Sequence, residues 1–318
     1  MGIYLLNTFL QSIRNNGSKK IGLNEISGRK IVVDVFIYLY RFKAMGGLLE
    51  NIFKMCTIFR YYNISPLFVF DGKVNKEIKG NTLLKRKEER VKAKLEYNNL
   101  KEEFKFATEL ERTEIEEKMN RLRRKFVKIT RQDIDDVKHL LEFYGIQYII
   151  AEGEADELCS AIVENGYAYA CLSEDTDMFA YGCPRILKFI SLINHTAILY
   201  SMKDIMNALN IKFKDFQELC LLSGTDYNSS KKNIFSYYDL YKKMNKQKKN
   251  EKSFIDWLIS SRYISLQIYQ EIKSIQNIYN KNSKDILNNI SYLLIKNKKI
   301  NYSGVESIMK KENFIFAY

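Results

Sequence analysis

Two clusters of carboxylates frame the stretch AEGEADELCSAIVENGYAYACLSEDTD, residues 151–177. Glu154 and Asp156 follow Gly153 at the start of an apolar helical pattern. There the helix dipole favours negative charge and leaves the carboxylates available to a ligand. Tyr167 to Leu172 (YAYACL) reads as a buried strand, with Glu174, Asp175 and Asp177 following its carboxyl end. In open α/β sheets that edge is where ligands bind. Acids gathered there repel one another unless protons or cations neutralise them. Oxygen donors with no His or Cys among them suit Mg²⁺ or Mn²⁺. A plain helix start followed by a turn accounts for the same residue types, since both favour Asp and Glu.

The elements that must position these acids repeat one pattern. KIVVD (30–34) is an apolar run ending in Asp34, and LFVFD (67–71) ends in Asp71 just before Gly72. A further acid, Asp226, follows the apolar run LCLLSGT. Runs of this kind are typical of parallel strands covered on both faces. FIYLYRF, behind Asp34, lacks strand alternation and predicts a helix. RQDIDDVKHLLEFY (131–144) predicts an amphipathic helix leading into a GIQYII strand. Residues 79–128 carry no strand signal. Leu100, Phe104, Leu110, Ile115, Met119, Leu122 and Phe126 fall near helical spacing there, between basic flanks and an acidic middle. A charged helical hairpin is expected. His139 sits on the amphipathic helix and His195 in a turn between strands, and neither joins an acid cluster with zinc-ligand spacing.

A chain of 318 residues, 46% hydrophobic and 28% charged, is long enough for a full core and is globular rather than disordered. Its net charge of +13 is unevenly spread. Residues 228–318 hold 17 Lys and Arg against 7 Asp and Glu, and residues 79–128 hold 16 against 10. The remainder, which contains every acid assigned above, is net negative. An acidic pocket flanked by basic segments is what a metal-dependent enzyme acting on a polyanion requires. Five cysteines without C-x-x-C spacing read as reduced thiols, which places the chain in a nuclear or cytoplasmic compartment. The opening residues lack the basic n-region of a signal peptide, and no apolar run reaches membrane-spanning length.

The motifs MGI, GRKIVVD, FVFDGK, KHLLEFYGIQYIIAEGEAD, SEDTDMFAYG and LLSGTDY, in this order over the first 227 residues, resemble the flap-endonuclease branch of the 5′ nuclease family. That family includes xeroderma-pigmentosum-G-like enzymes. The resemblance implies an α/β, PIN-like fold with a twisted, mostly parallel central sheet and helices on both faces. It implies nuclease regions at 1–78 and 129–227, a helical arch at 79–128 and a basic helical DNA-binding region at 228–318. It also implies two Mg²⁺ or Mn²⁺ ions held by Asp34, Asp71, Glu154, Asp156, Asp175, Asp177 and Asp226. Asp156 is a departure, because the family usually has Glu there. Two such cations about 3.5–4 Å apart polarise a scissile phosphate, generate hydroxide and stabilise the leaving oxygen.

Further roles follow from the same resemblance. Lys79 and Arg86 match a basic pair that contacts the scissile phosphate, with the seven-residue spacing that puts both on one helix face. Tyr40 matches an aromatic that stacks on a terminal base, and Gly2 an amino-terminal glycine whose backbone lies near the active site. After Asp226 the sequence departs from the family. Relatives carry a Gly-x-Gly hairpin that holds duplex phosphate with a bound monovalent cation, whereas this chain has Asn233-Ile234-Phe235. Ile and Phe do not permit close backbone approach to phosphate. Side-chain charge from Lys231 and Lys232 is the expected substitute.

The Gln-initiated sliding-clamp box of many relatives is not found in KKENFIFAY. The expectation is a monomeric, Mg²⁺-dependent 5′ flap endonuclease acting on branched, nicked or flapped DNA in replication, repair or recombination. A 5′→3′ exonuclease or junction resolvase of the same family is the alternative, and a non-catalytic DNA-binding scaffold is the third reading. The AT-biased composition suits a large DNA virus or a parasite, which would add a viral factory to the possible locations.

Overall fold

The computed structural model describes residues 2–13, 17–72, 80–230, 232–247, 253–280, 286–287 and 296–316, with 80–86, 109, 110, 113 and 124 in backbone only. Seven strands form one sheet: β1 (Ser18–Gly22), β2 (Lys30–Asp34), β3 (Ser65–Phe70), β4 (Gln147–Ile150), β5 (Ala170–Leu172), β6 (Arg185–Ser191) and β7 (Thr196–Ser201). Their order across the sheet is β1-β7-β6-β5-β2-β3-β4. The stretch from β6 to β4 is parallel throughout, while β7 and β1 close one side antiparallel. β2 and β3 are buried almost end to end. Water is excluded from both their faces, which is why their sequences run apolar rather than alternating.

Alternate residues of β2 supply the two layers. Val32 faces the helices α1 (Leu6–Ser12), α7 (Ala155–Glu164), α8 (Asp177–Ala180), α9 (Met202–Leu209), α10 (Phe213–Leu222), α11 (Ile234–Lys246), α12 (Phe254–Ser260) and α13 (Leu266–Tyr279). Ile31 and Val33 face α2 (Phe36–Met45), α3 (Leu48–Tyr61), α6 (Arg131–Phe143) and α14 (Tyr302–Met309). The described residues of 228–318 are shared between the two layers. Their helices α11 to α13 lie in the first layer. The segment 296–316 crosses the amino edge of the sheet, where Asn297 Nδ2 donates to Ile64 O and Lys298 N to Gly145 O, and joins the second.

Between β3 and α6 lies the expected helical hairpin, α4 (Gly80–Phe106) and α5 (Glu109–Phe126). Ala93, Ile115 and Leu122 are buried, and Tyr97 meets Phe126 edge-on at 5.1 Å. Glu111 accepts from both the N–H (2.9 Å) and the hydroxyl (2.7 Å) of Thr108, so the turn into α5 is a capping box.

β5 is shorter than its sequence predicts, beginning at Ala170 instead of Tyr167. Gly166, at φ +77°, turns the chain, and Tyr167 is exposed. The Tyr169 ring is flanked by the guanidinium groups of Arg29 and Arg185 at 5.1 and 4.5 Å. Its N–H still donates to Lys30 O, so the pairing with β2 is kept.

Candidate metal centre at the carboxyl edge of the sheet

Asp34 ends β2 and is 6% exposed, with its Oδ2 accepting from Ser173 Oγ at 2.9 Å. The same Ser173 oxygen accepts from Asp175 N, and Asp175 Oδ1 in turn accepts from Asp177 N, both at 3.0 Å. The loop after β5 is thus folded on its own carboxylate and tied to the end of β2. Asp71 follows β3, and its Oδ1 accepts from Ala155 N at 2.8 Å. A carboxylate from a neighbouring strand therefore caps α7, and Glu154, at the N-cap position with extended φ/ψ, makes no cap bond itself. Glu154 Oε2 instead accepts from the Tyr227 hydroxyl at 2.9 Å. Asp177 Oδ2 accepts from the Tyr279 hydroxyl at 2.8 Å.

Two glycines let the backbone approach these acids. Gly72 N donates to Gly153 O at 2.8 Å, and a Cβ at Gly72 would collide with the carbonyl of Ala151. Gly2, at φ +81°, lies against the Asp175–Asp177 loop, where a Cβ would strike Asp175 Oδ1 and Thr176 Oγ1. Ile3 N donates to Thr176 Oγ1 at 2.6 Å, which fixes that approach.

The electrostatics record the crowding. Burial, then the charges of Asp71 and Asp175, pushes Asp34 up to about 7. Asp156 is held well above the usual carboxylate range, by burial first and then by Asp34, Asp175, Asp177 and Asp71. Five of the seven predicted acids, drawn from the ends of β2, β3 and β5 and the start of α7, therefore act on one another. Glu154 joins through Tyr227, whose hydroxyl is raised by burial and then by Glu154. Asp226 precedes Tyr227 in the turn bridged from Thr225 to Asn228.

Asp156 Oδ1 is buried with no hydrogen-bond partner among the described residues. A buried carboxylate oxygen left in that state is costly, and a hard divalent cation is the species that an all-carboxylate set of this kind suits. Among the described residues no three His, Cys, Asp or Glu side chains are closed on a common point. The carboxylates are tied instead by Ser173, Ala155 N–H, Tyr227 and Tyr279.

The remaining predicted residues divide. Tyr40 is half-buried on α2, and the tyrosine of that helix that belongs to the core is Tyr38. Lys232 is exposed just before α11. Lys79 and Lys231 lie outside the described residues, and Arg86 is described in backbone only. Asn233 accepts from Ser236 N and caps α11, Ile234 is fully buried, and Phe235 packs edge-on against Phe9 at 5.3 Å. The residues at the place of the Gly-x-Gly hairpin are thus engaged in capping and core packing. His139 is exposed and stacked on Phe143, and His195 sits in the β6–β7 turn at φ +51°. All five cysteines are free and buried.

Sequence reasoning missed Lys188, fully buried, whose amine donates to Glu174 O at 2.9 Å and Asp175 O at 3.4 Å. It also missed Arg41, paired with Glu174 at 3.1 Å, and the tyrosines 227 and 279. A lysine inside the apolar strand RILKFIS was the available signal for the first of these.

The family models described as XPG N-terminal domain and XPG I-region match residues 1–93 and 145–226. The chain is 27% identical over 250 residues to flap endonuclease 1 of Mus musculus, covering 74% of this chain and 63% of that protein. To flap endonuclease 1 of Ovis aries it is 29% identical over 252 residues, with the same coverage. The chain thus spans less than two thirds of the length of the curated relatives it matches. Among solved structures, the catalytic core of Rad2 in complex with DNA substrate aligns with a TM-score of 0.66 at 20% identity, over 98% of this chain and 94% of that one. Flap endonuclease-1 from Methanococcus jannaschii aligns at 0.58 and 20% identity, over 98% of both chains. Human GEN1 in complex with Holliday junction DNA aligns at 0.58 and 15% identity, over 98% of this chain and 73% of that one. These structural likenesses establish the fold.

Proposed function

From the premise that this chain belongs to the XPG and flap-endonuclease family, whose two conserved regions lie on either side of its helical hairpin, we propose that it is a divalent-metal-dependent nuclease. Its substrate is branched, nicked or flapped DNA, cut near a 5′ end. Asp34, Asp71, Glu154, Asp156, Asp175, Asp177 and Asp226 would hold the metal. Two bound Mg²⁺ or Mn²⁺ ions would supply Lewis acidity to the scissile phosphate and to the entering and leaving oxygens. The observation that carries this reading is the set of mutually repelling carboxylates at one sheet edge, with a buried oxygen of Asp156 that has no hydrogen bond among the described residues.

The chain's own residues do the positioning. Asp71 fixes the start of α7, and with it Glu154 and Asp156, relative to β3. Ser173 locks the loop of Asp175 and Asp177 to Asp34. The missing side chain of Gly2 leaves the backbone of the amino-terminal segment close beside these acids. Lys79 and Arg86 would offset charge developing at phosphorus. Tyr40 would stack on a terminal base, and Lys231 and Lys232 would meet duplex phosphates by charge. Relatives named flap endonucleases favour a 5′ flap as substrate. The junction-bound relative, together with Asn233 serving as a helix cap, keeps a four-way junction as the second reading. The molecule acts as a monomer inside a reducing compartment, in keeping with its five free buried cysteines. No helix among the described residues is long and apolar enough to cross a membrane.

The test is Asp175→Ala assayed on flap, nick and four-way-junction DNA in Mg²⁺ and in EDTA. Cleavage by the variant should fall by about 100-fold or more while flap affinity in EDTA stays near the wild-type value. Native-rate cutting by the variant, or wild-type cutting in EDTA, would refute the assignment.

A further inference from the structure

Three tyrosines from separate segments surround the acids: Tyr181 after α8, Tyr227 after α10 and Tyr279 at the end of α13. The Tyr279 ring centroid is 4.5 Å from that of Tyr181 and 5.7 Å from that of Tyr227. Tyr279 is 5% exposed, and its hydroxyl donates to Asp177 Oδ2 at 2.8 Å. It lies outside both stretches matched by the family models, 1–93 and 145–226.

The position of that hydroxyl is fixed from behind. Ile272 and Ile275 of α13 are buried in the first-layer core. Gln276 Nε2 donates to Gln217 Oε1 at 3.2 Å. Gln217 Nε2 donates to Ala180 O at 3.0 Å and to Asn280 Oδ1 at 2.9 Å, so α13 is tied to the short helix that Asp177 begins. The phenol therefore reaches Asp177 from a rigid, doubly anchored element.

We propose that Tyr279 is a positioning residue of the metal centre: its hydroxyl, held by α13, fixes the Asp177 carboxylate in place before a cation arrives. This rests on the reading of the acids as metal ligands. An Asp side chain turns easily about two torsions, and here its neighbours repel it. A hydrogen bond to one carboxylate oxygen, made where water is excluded, narrows the orientations open to the side chain. The ring alone, packed against Tyr181 and Tyr227, would keep the local packing without this bond, so Phe is the discriminating replacement.

The experiment is calorimetric titration of the DNA-free protein with Mn²⁺, for wild type, Tyr279→Phe, Asp177→Asn and the double variant, with unfolding in EDTA measured alongside. Tyr279→Phe should weaken Mn²⁺ binding by about 10-fold with little change in the EDTA unfolding midpoint. It should weaken binding no further in the Asp177→Asn background. The Mn²⁺ concentration for half-maximal cleavage should rise in step, while kcat at saturating Mn²⁺ and KM for DNA stay near wild type. Equal Mn²⁺ binding by wild type and Tyr279→Phe would overturn the assignment and leave the metal reading intact. Absence of Mn²⁺ binding by wild type would overturn both.

Discussion

Lys188 occupies a place where a lysine is costly. Its side chain has no exposed surface, and burial pulls the amine down to about 8 against the attraction of Glu174, Asp175, Asp156 and Asp177. It is retained because two carbonyls of the acidic loop, Glu174 O and Asp175 O, take its hydrogens. Lys188→Met keeps the apolar stem but leaves those carbonyls without a donor and removes a positive charge beside the acids. The expected cost is about 2 kcal/mol, read as a lower urea midpoint in EDTA. An unchanged midpoint would mean that the amine does nothing for the loop. Alternation along RILKFIS does not reveal this lysine, because β6 is irregular between Lys188 and Ser191. Phe189, at φ +55°, is turned outward and Lys188 inward. A bulge of that kind leaves no mark on the pattern of residue types.

At the scale of elements, the strands that carry Asp34 and Asp71 were legible because each is a short apolar run closed by a turn-forming acid. The hairpin α4–α5 was legible because helical spacing survives a high charge density. What stayed hidden are contacts between elements far apart in sequence. The pattern of α13 predicts a helix, yet nothing in it says that the terminal tyrosine reaches Asp177. Glu312 is another such case. Its two carboxylate oxygens accept from Leu49 N at 3.0 Å and Glu50 N at 2.9 Å, capping α3, which has no side-chain cap of its own. Phe314 and Phe316 pack beside it on Phe53. Glu312→Ala should cost about 1 kcal/mol and lower the melting temperature by roughly 2 °C. Hydrogen exchange should quicken at the amides of Leu49 and Glu50, and unchanged protection there would contradict the cap.

For the whole molecule, the acid cluster should make stability depend on pH, and a bound cation should offset that dependence. Asp34 has a folded-state value raised to about 7 from an ordinary 3.8, by burial and then by Asp71 and Asp175. The folded protein binds this proton more tightly than the unfolded chain does. The stability it contributes is therefore complete below about 3.8 and is lost as pH rises through about 7. In EDTA the melting temperature should fall between about pH 4 and 7 and level off above that, and Mg²⁺ should restore it most at the upper end. Asp34→Asn should flatten the EDTA profile. Parallel EDTA and Mg²⁺ curves would show that the carboxylates do not share a cation.

The position of Tyr279 and Glu312 late in the sequence also bears on timing. A ribosome delivers Glu312 after every residue of the helix it caps, and Tyr279 after each of the seven acids. A nascent chain therefore holds all seven of these acids before the phenol that orients Asp177 has been made. The acidic loop is thus made before the residue that braces it, and the order of synthesis runs opposite to the order of support.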